Sequence, residues 1–257
     1  LGALDSAQMG ALTTVQVRSL TTQQVNSLST EDLNALNTQQ FAALSTVQVS
    51  SLSTEQVANL ETEDVRALGT AGFRALSSEL IAALSTESIV AISTQQAAAL
   101  TSIQATGLST EQVSVIATDD LRAITTTPLR QFSTEQIGGL DTAQIGSLTT
   151  LQVRALTTTQ LAALTTEEIN GLTSAQFAAL TTVQLKAFTT EQIAGLETED
   201  LRAIGTAGIR AFNSEQIGAI NTEGIVAITS QQAASLTSAQ VAGLTTEQVS
   251  VIATDDL

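Results

Sequence analysis

The stretch Leu148–Leu180, LTTLQVRALTTTQLAALTTEEINGLTSAQFAAL, counts in eights and decides the fold. Leu148, Leu156, Leu164 and Leu172 each open an octad of the form L-[ST]-T-x-Q-[VIL]-x-[AGS]. The count does not slip in either direction: Leu, Ile or Phe stands at every eighth residue from Leu4 to Ile252. A fixed short period of this kind marks an array whose units bury their apolar faces only against their neighbours. A second period lies above the first. LETEDVRALGTAGFRA from Leu60 returns as LETEDLRAIGTAGIRA from Leu196, a shift of 136 residues or 17 octads. The expected organisation is one continuous octad-repeat array over residues 1–257, with block 1 at 4–139 and block 2, a truncated copy, at 140–257. The chain opens LGA without an initiator Met and stops inside an octad, which reads as a window on a longer repetitive protein.

Thr, Val and Ile would favour strands by propensity, but the placement of charge favours helices. All nine basic residues, from Arg18 to Arg210, occupy position 7 of the octad, and all 25 acids fall at positions 2, 4 or 5. In a short helix starting near position 2, this puts acids beside the free N–H groups and bases towards the carbonyl end, as the helix dipole prefers. Cap chemistry agrees. Ser29, Ser53, Ser109 and Thr165 precede Asp32, Gln56, Gln112 and Glu168 by three residues, the spacing of a capping box, while positions 1 and 6 sit where a hydrophobic staple would join. Position 3 is Ser or Thr in every octad, so positions 2 and 3 are both candidate caps. The expected fold is an all-α superhelical solenoid of very short helices, one per octad. The alternative is a β-solenoid with stacked Thr and Gln ladders. Helices this short are marginal alone, so packing must hold them through the apolar residues at positions 1 and 6 and the small ones at position 8.

Composition narrows the function. Cys, His, Trp and Tyr are absent, which removes disulfides, Cys or His zinc sites, Ser-His-Asp triads and Cys nucleophiles. The expectation is a protein that is not an enzyme and uses no cofactor. A net charge of -16 disfavours nucleic acid as a partner, because phosphates need clustered Lys and Arg. No apolar run reaches the roughly 18 residues of a membrane span. Three acidic groups are candidates for a divalent cation such as Ca²⁺: Glu61/Glu63/Asp64, Asp119/Asp120 and Glu197/Glu199/Asp200. None has EF-hand spacing, and each is followed by Arg66, Arg122 or Arg202, so solvated helix-start acids with an intrahelical counterion are the preferred reading. Pro128, the only proline, is expected in the first turn of its helix as a tolerated surface variation. Gly72 and Gly208, in two copies of G-T-A-G, read as loosened helix starts, because the lysine of a phosphate loop is missing.

LSTEQVANL, LTTEEINGL and LTTEQVSVI resemble the L-T-T-x-Q-[VIL]-x-A-L arrays of very large secreted bacterial repeat proteins, often grouped with RTX-type adhesins. The resemblance spans essentially the whole chain and implies an exported surface or matrix protein, extracellular or at the cell surface. The calcium nonapeptides of RTX proteins, G-G-x-G-x-D, are missing, so calcium-driven folding does not carry over. The functional expectation is a structural protein that forms a filament, tube or sheath with copies of itself. An adhesin stalk or ligand-binding repeat module is the alternative.

Overall fold

The computed structural model describes residues 6–252. Within them the chain forms 31 α-helices and no strand, numbered α1 to α31 in chain order from Ser6–Gly10 to Thr246–Val251, one per octad. The chain divides into two compact units, residues 1–132 and 133–257.

Each helix is four to seven residues long because its octad carries both a start and a stop. The start is at position 2, which settles which of the two candidates is the cap. In α19 (Thr150–Ala155), Thr149 has extended backbone, its hydroxyl accepts the Gln152 N–H at 3.2 Å, and the Gln152 Oε1 accepts the Thr149 N–H at 2.7 Å. The same reciprocal box closes most helices, and each cap satisfies donors that would otherwise be orphaned. At Ser29 it fails. Its hydroxyl accepts the Asp32 N–H but donates to Asp32 Oδ2, because Asp is one methylene too short to reach back to the cap N–H. The stop is the next position 1, whose N–H bonds the position 6 carbonyl and whose backbone returns to extended geometry, as at Leu164.

Within each unit, helix n lies on helix n+3: α5 (Thr38–Ala42) on α8 (Thr62–Ala67), α10 (Ser78–Ala83) on α13 (Ser102–Gly107), α24 (Thr190–Ala194) on α27 (Ser214–Ala219). Positions 1 and 6 meet along the axis as a continuous core, and all six Phe are buried there. The structure adds a second device. From Gln40 onward Gln at position 5 is buried, and in helices such as α13 and α23 (Thr182–Lys186) its Nε2, facing away from its own cap, donates to carbonyls 31 and 28 residues earlier. Gln104 reaches the Phe73 oxygen at 2.7 Å and the Leu76 oxygen at 3.0 Å; Gln184 reaches Val153 at 2.8 Å and Leu156 at 3.0 Å. One side chain therefore starts its own helix and closes the end of a helix one turn below. Polar residues at position 7 bond in the other direction: Asn26 Nδ2 reaches the Ser51 oxygen and Arg66 Nε the Ala91 oxygen, each 25 residues on. Registers of 25 forward and 31 back place each superhelical turn between three and four octads.

Position 8 is small because backbone passes there. A Cβ on Gly107 would lie 2.5 Å from the Ser78 carbonyl oxygen, and one on Gly243 2.6 Å from that of Ser214, each 29 residues earlier. Gly107→Val is expected to destabilise the first unit by about 1–3 kcal/mol through overpacking, read from chemical denaturation. No loss would mean that the turns are further apart than the structure has them.

Two expectations change. Pro128 does lie in the first turn of its helix but is buried, not at the surface, and stands where Gln otherwise caps; with no N–H at that position, Thr125 makes no side-chain cap. The helix starts at the two G-T-A-G sites are not loosened. Gly72 and Gly208 are buried, and a Cβ there would meet the Leu68 Cβ at 3.0 Å or the Ile204 Cβ at 2.6 Å. The unusual backbone is at Gly69 and Gly205, with φ of 59° and 64°, a region open to glycine, which lets α9 (Gly69–Ala75) and α26 (Gly205–Ala211) follow their predecessors after a single residue.

Candidate functional site

The three acidic groups do not behave as one class. Glu61, Glu63, Asp119, Glu197 and Glu199 lie exposed in the first turns of their helices, where the dipole favours them, whereas Asp64, Asp120 and Asp200 are buried. The expectation of solvated acids therefore holds for the flanking residues and fails for these three, because position 5 faces the turn below. The Arg66 and Arg202 Nε atoms donate to the Ala91 and Ala227 carbonyls of the next turn, each at 2.7 Å. Burial, then the nearby Glu61 and Glu63, pushes the Asp64 carboxyl up to about 7; burial, then Glu197 and Glu199, does the same to Asp200. By contrast Glu87 is held below the usual carboxylate range by its own backbone N–H and the Ser85 and Thr86 hydroxyls.

Among the described residues, no three acidic side chains converge as a metal ion requires. In the second unit an open cleft of about 470 Å³ is lined by Asn170, Glu197, Glu199, Asn221 and Glu223 among others. It offers the carboxylates of Glu197, Glu199 and Glu223, the amides of Asn170 and Asn221 and the Thr198 hydroxyl.

The exposed surface also carries aliphatic side chains that the sequence reading passed over. Val15, Val47, Ile103, Leu151 and Val183 all occupy position 4, which otherwise holds mostly Glu, Gln, Thr or Ala, and Val15 and Leu151 are more than 70% exposed. The signal was present in the pattern, since Val15 and Leu151 are 136 residues apart, as are Val47 and Val183. No described helix is long and apolar enough to cross a membrane.

No curated protein matches the sequence. The ALTTAQ repeat matches it seven times, over residues 1–31, 25–62, 57–94, 113–150, 150–182, 168–198 and 193–230. These matches cover most of the chain and coincide with the octads whose Leu, Thr and Gln build the staple, the cap and the bond between turns. The chain therefore belongs to the ALTTAQ-repeat family.

Proposed function

We propose that the chain is a non-enzymatic structural protein that associates with copies of itself into a regular extracellular filament, tube or sheath. The observation that carries this reading is the recurrence of the exposed aliphatic pairs Val15/Leu151 and Val47/Val183 at the block period. A patch repeated at a fixed interval along the chain offers the same contact again and again, and heterologous contacts that repeat without closing give fibres. The absence of Cys, His and Tyr from the sequence supports a role without catalysis. The extracellular location rests on the resemblance to secreted repeat arrays.

A net charge of -16 opposes association through self-repulsion, so assembly should strengthen as salt shortens the screening length or divalent cations bridge the exposed acids. Light scattering and negative-stain microscopy across a NaCl and CaCl₂ series are expected to show polymers that grow with ionic strength. Replacing Val15, Val47, Leu151 and Val183 together with serine is expected to abolish them while leaving the helical circular dichroism intact. Monodisperse monomers of the unaltered chain under every condition would overturn the reading. They would favour the second one, an adhesin stalk or a repeat module that binds a cationic ligand, to which the cleft of Glu197, Glu199 and Glu223 lends itself.

A further inference from the structure

Where Gln fills position 5, an amide N–H lies between one turn and the carbonyls of the turn below; at Asp64 and Asp200 nothing does. The register that brings Gln56 Nε2 to the Val25 and Leu28 carbonyls, and within 3.4 Å of the Asn26 carbonyl, sets Asp64 against Leu33, Leu36 and Asn34. It likewise sets Asp200 against Ile169, Leu172 and Asn170. The consequence is visible in both units. Asp64 Oδ2 and Asn34 Oδ1 are sealed from solvent without a hydrogen-bond partner, and so are Asp200 Oδ2 and Asn170 Oδ1. The asparagines cannot turn their amides to help, because Asn34 Nδ2 donates to the Asn59 carbonyl at 2.7 Å and Asn170 Nδ2 to that of Gly195 at 2.8 Å. Acceptor meets acceptor where Asp at position 5 lies over Asn of the turn below, and a buried acceptor without a donor is costly.

We infer that Asp64 and Asp200 are proton-operated clasps between turns. Protonated, each carboxyl donates its O–H to the acceptors of the turn below, as the glutamine amide does elsewhere. Ionised, it sets a buried charge against carbonyl and amide oxygens, and that turn loosens. The surroundings favour the proton. Around Asp64 stand Glu61, Glu63 and Arg66 on its own helix α8, none on α5, Glu87 on α11 (Thr86–Ala91), Arg74 on α9, and Glu31 and Asp32 on α4 (Thr30–Asn34). Around Asp200 on α25 (Thr198–Ala203) are Glu197, Glu199 and Arg202, none on α22 (Ser174–Ala179), Glu223 on α28 (Thr222–Ala227), Arg210 on α26, and Glu167 and Glu168 on α21 (Thr166–Asn170). Acids outnumber bases at both sites, and Arg66 and Arg202 are engaged by carbonyls.

The pH window follows from the shift of each carboxyl from 3.8 to about 7 on folding. Below about 4, folded and unfolded chains both hold the proton and the clasp contributes fully. Between about 4 and 7 only the folded chain holds it, so stability falls as pH rises; above 7 it is level. The test compares the chain with the double variant Asp64→Asn, Asp200→Asn, which keeps a donor at every pH. All other groups titrate in both proteins, so the difference in melting temperature isolates the clasps. The unaltered chain is expected to lose melting temperature relative to the variant between pH 4 and 7 and then run parallel to it. Site-specific ¹³C NMR of the unaltered chain, which needs no variant to fold, is expected to give carboxyl midpoints displaced by about three units. Midpoints in the ordinary carboxylate range, or identical pH slopes for the two proteins, would overturn the inference. So would a Ca²⁺-dependent rise in melting temperature at pH 8 that the variant lacks, which would make these positions cation sites.

Discussion

Leu100→Asp is expected to destabilise the first unit by about 4–5 kcal/mol, the range reached when an unpaired charge enters a core. Leu100 is a position 1 residue, buried to 7% exposure, and closes helix α12 (Thr94–Ala98) by donating its N–H to the Ala97 carbonyl. In an array whose stability is a sum of repeat and nearest-neighbour terms, damage at one octad spreads to the helices stacked on it. Here these are α9 below and α15 (Thr118–Ala123) above α12. Arg154→Ala, at an exposed position 7 of the second unit, is expected to cost under about 1 kcal/mol. Urea denaturation of the two variants separates the classes; equal losses would show that position 1 is not core.

Gln104→Leu is expected to cost about 3 kcal/mol although it makes a buried residue more apolar. Gln104 is 1% exposed, and leucine in its place strands the Thr101 N–H, which now donates to Oε1 at 3.0 Å, and the Leu76 carbonyl, while the Phe73 carbonyl loses one donor and keeps the Leu76 N–H. Each stranded buried group costs about 1–3 kcal/mol, part of which the added apolar burial offsets. Gln104→Glu separates the two roles, since it keeps the acceptor for the cap and removes the donor for the turn below. Most of the loss is expected to persist in that variant above neutral pH, with recovery as the carboxyl protonates. A neutral effect of Gln104→Leu would mean that the bond between turns contributes nothing.

How much of this was legible in the sequence depends on the range of the interaction. The helices were, because every signal for them lies within one octad: Thr149 and Gln152 reveal the cap, Leu148 and Val153 the staple, and Arg154 the carbonyl end. The core at positions 1 and 6 followed from the same period. The second role of glutamine did not follow, because Gln104 and Phe73 are 31 residues apart and no single octad records what lies beneath it. For the same reason Asp64 looked like its neighbours Glu61 and Glu63, all three being acids at a helix start. What distinguishes it is its column: position 5 points down the stack and position 4 points out. That geometry also explains why Val47 at position 4 is exposed while Val49 at position 6 is buried. Pro128 was misread by the same route, since a residue in a first turn is at the surface only where that face of the turn has no neighbour.

The dual glutamine is the claim on which the register, the small residues at position 8 and the aspartate clasps all depend. Hydrogen exchange of the glutamine side-chain amides, followed by NMR on the ¹⁵N-labelled chain, tests it most directly. The Nε2 protons of Gln96, Gln104 and Gln112, each within 3.0 Å of a buried carbonyl one turn below, are expected to exchange as slowly as the backbone amides of their helices, while those of exposed Gln23 and Gln39 exchange freely. Equally fast exchange of both groups would contradict the account, because the turns would then be held by apolar contact alone.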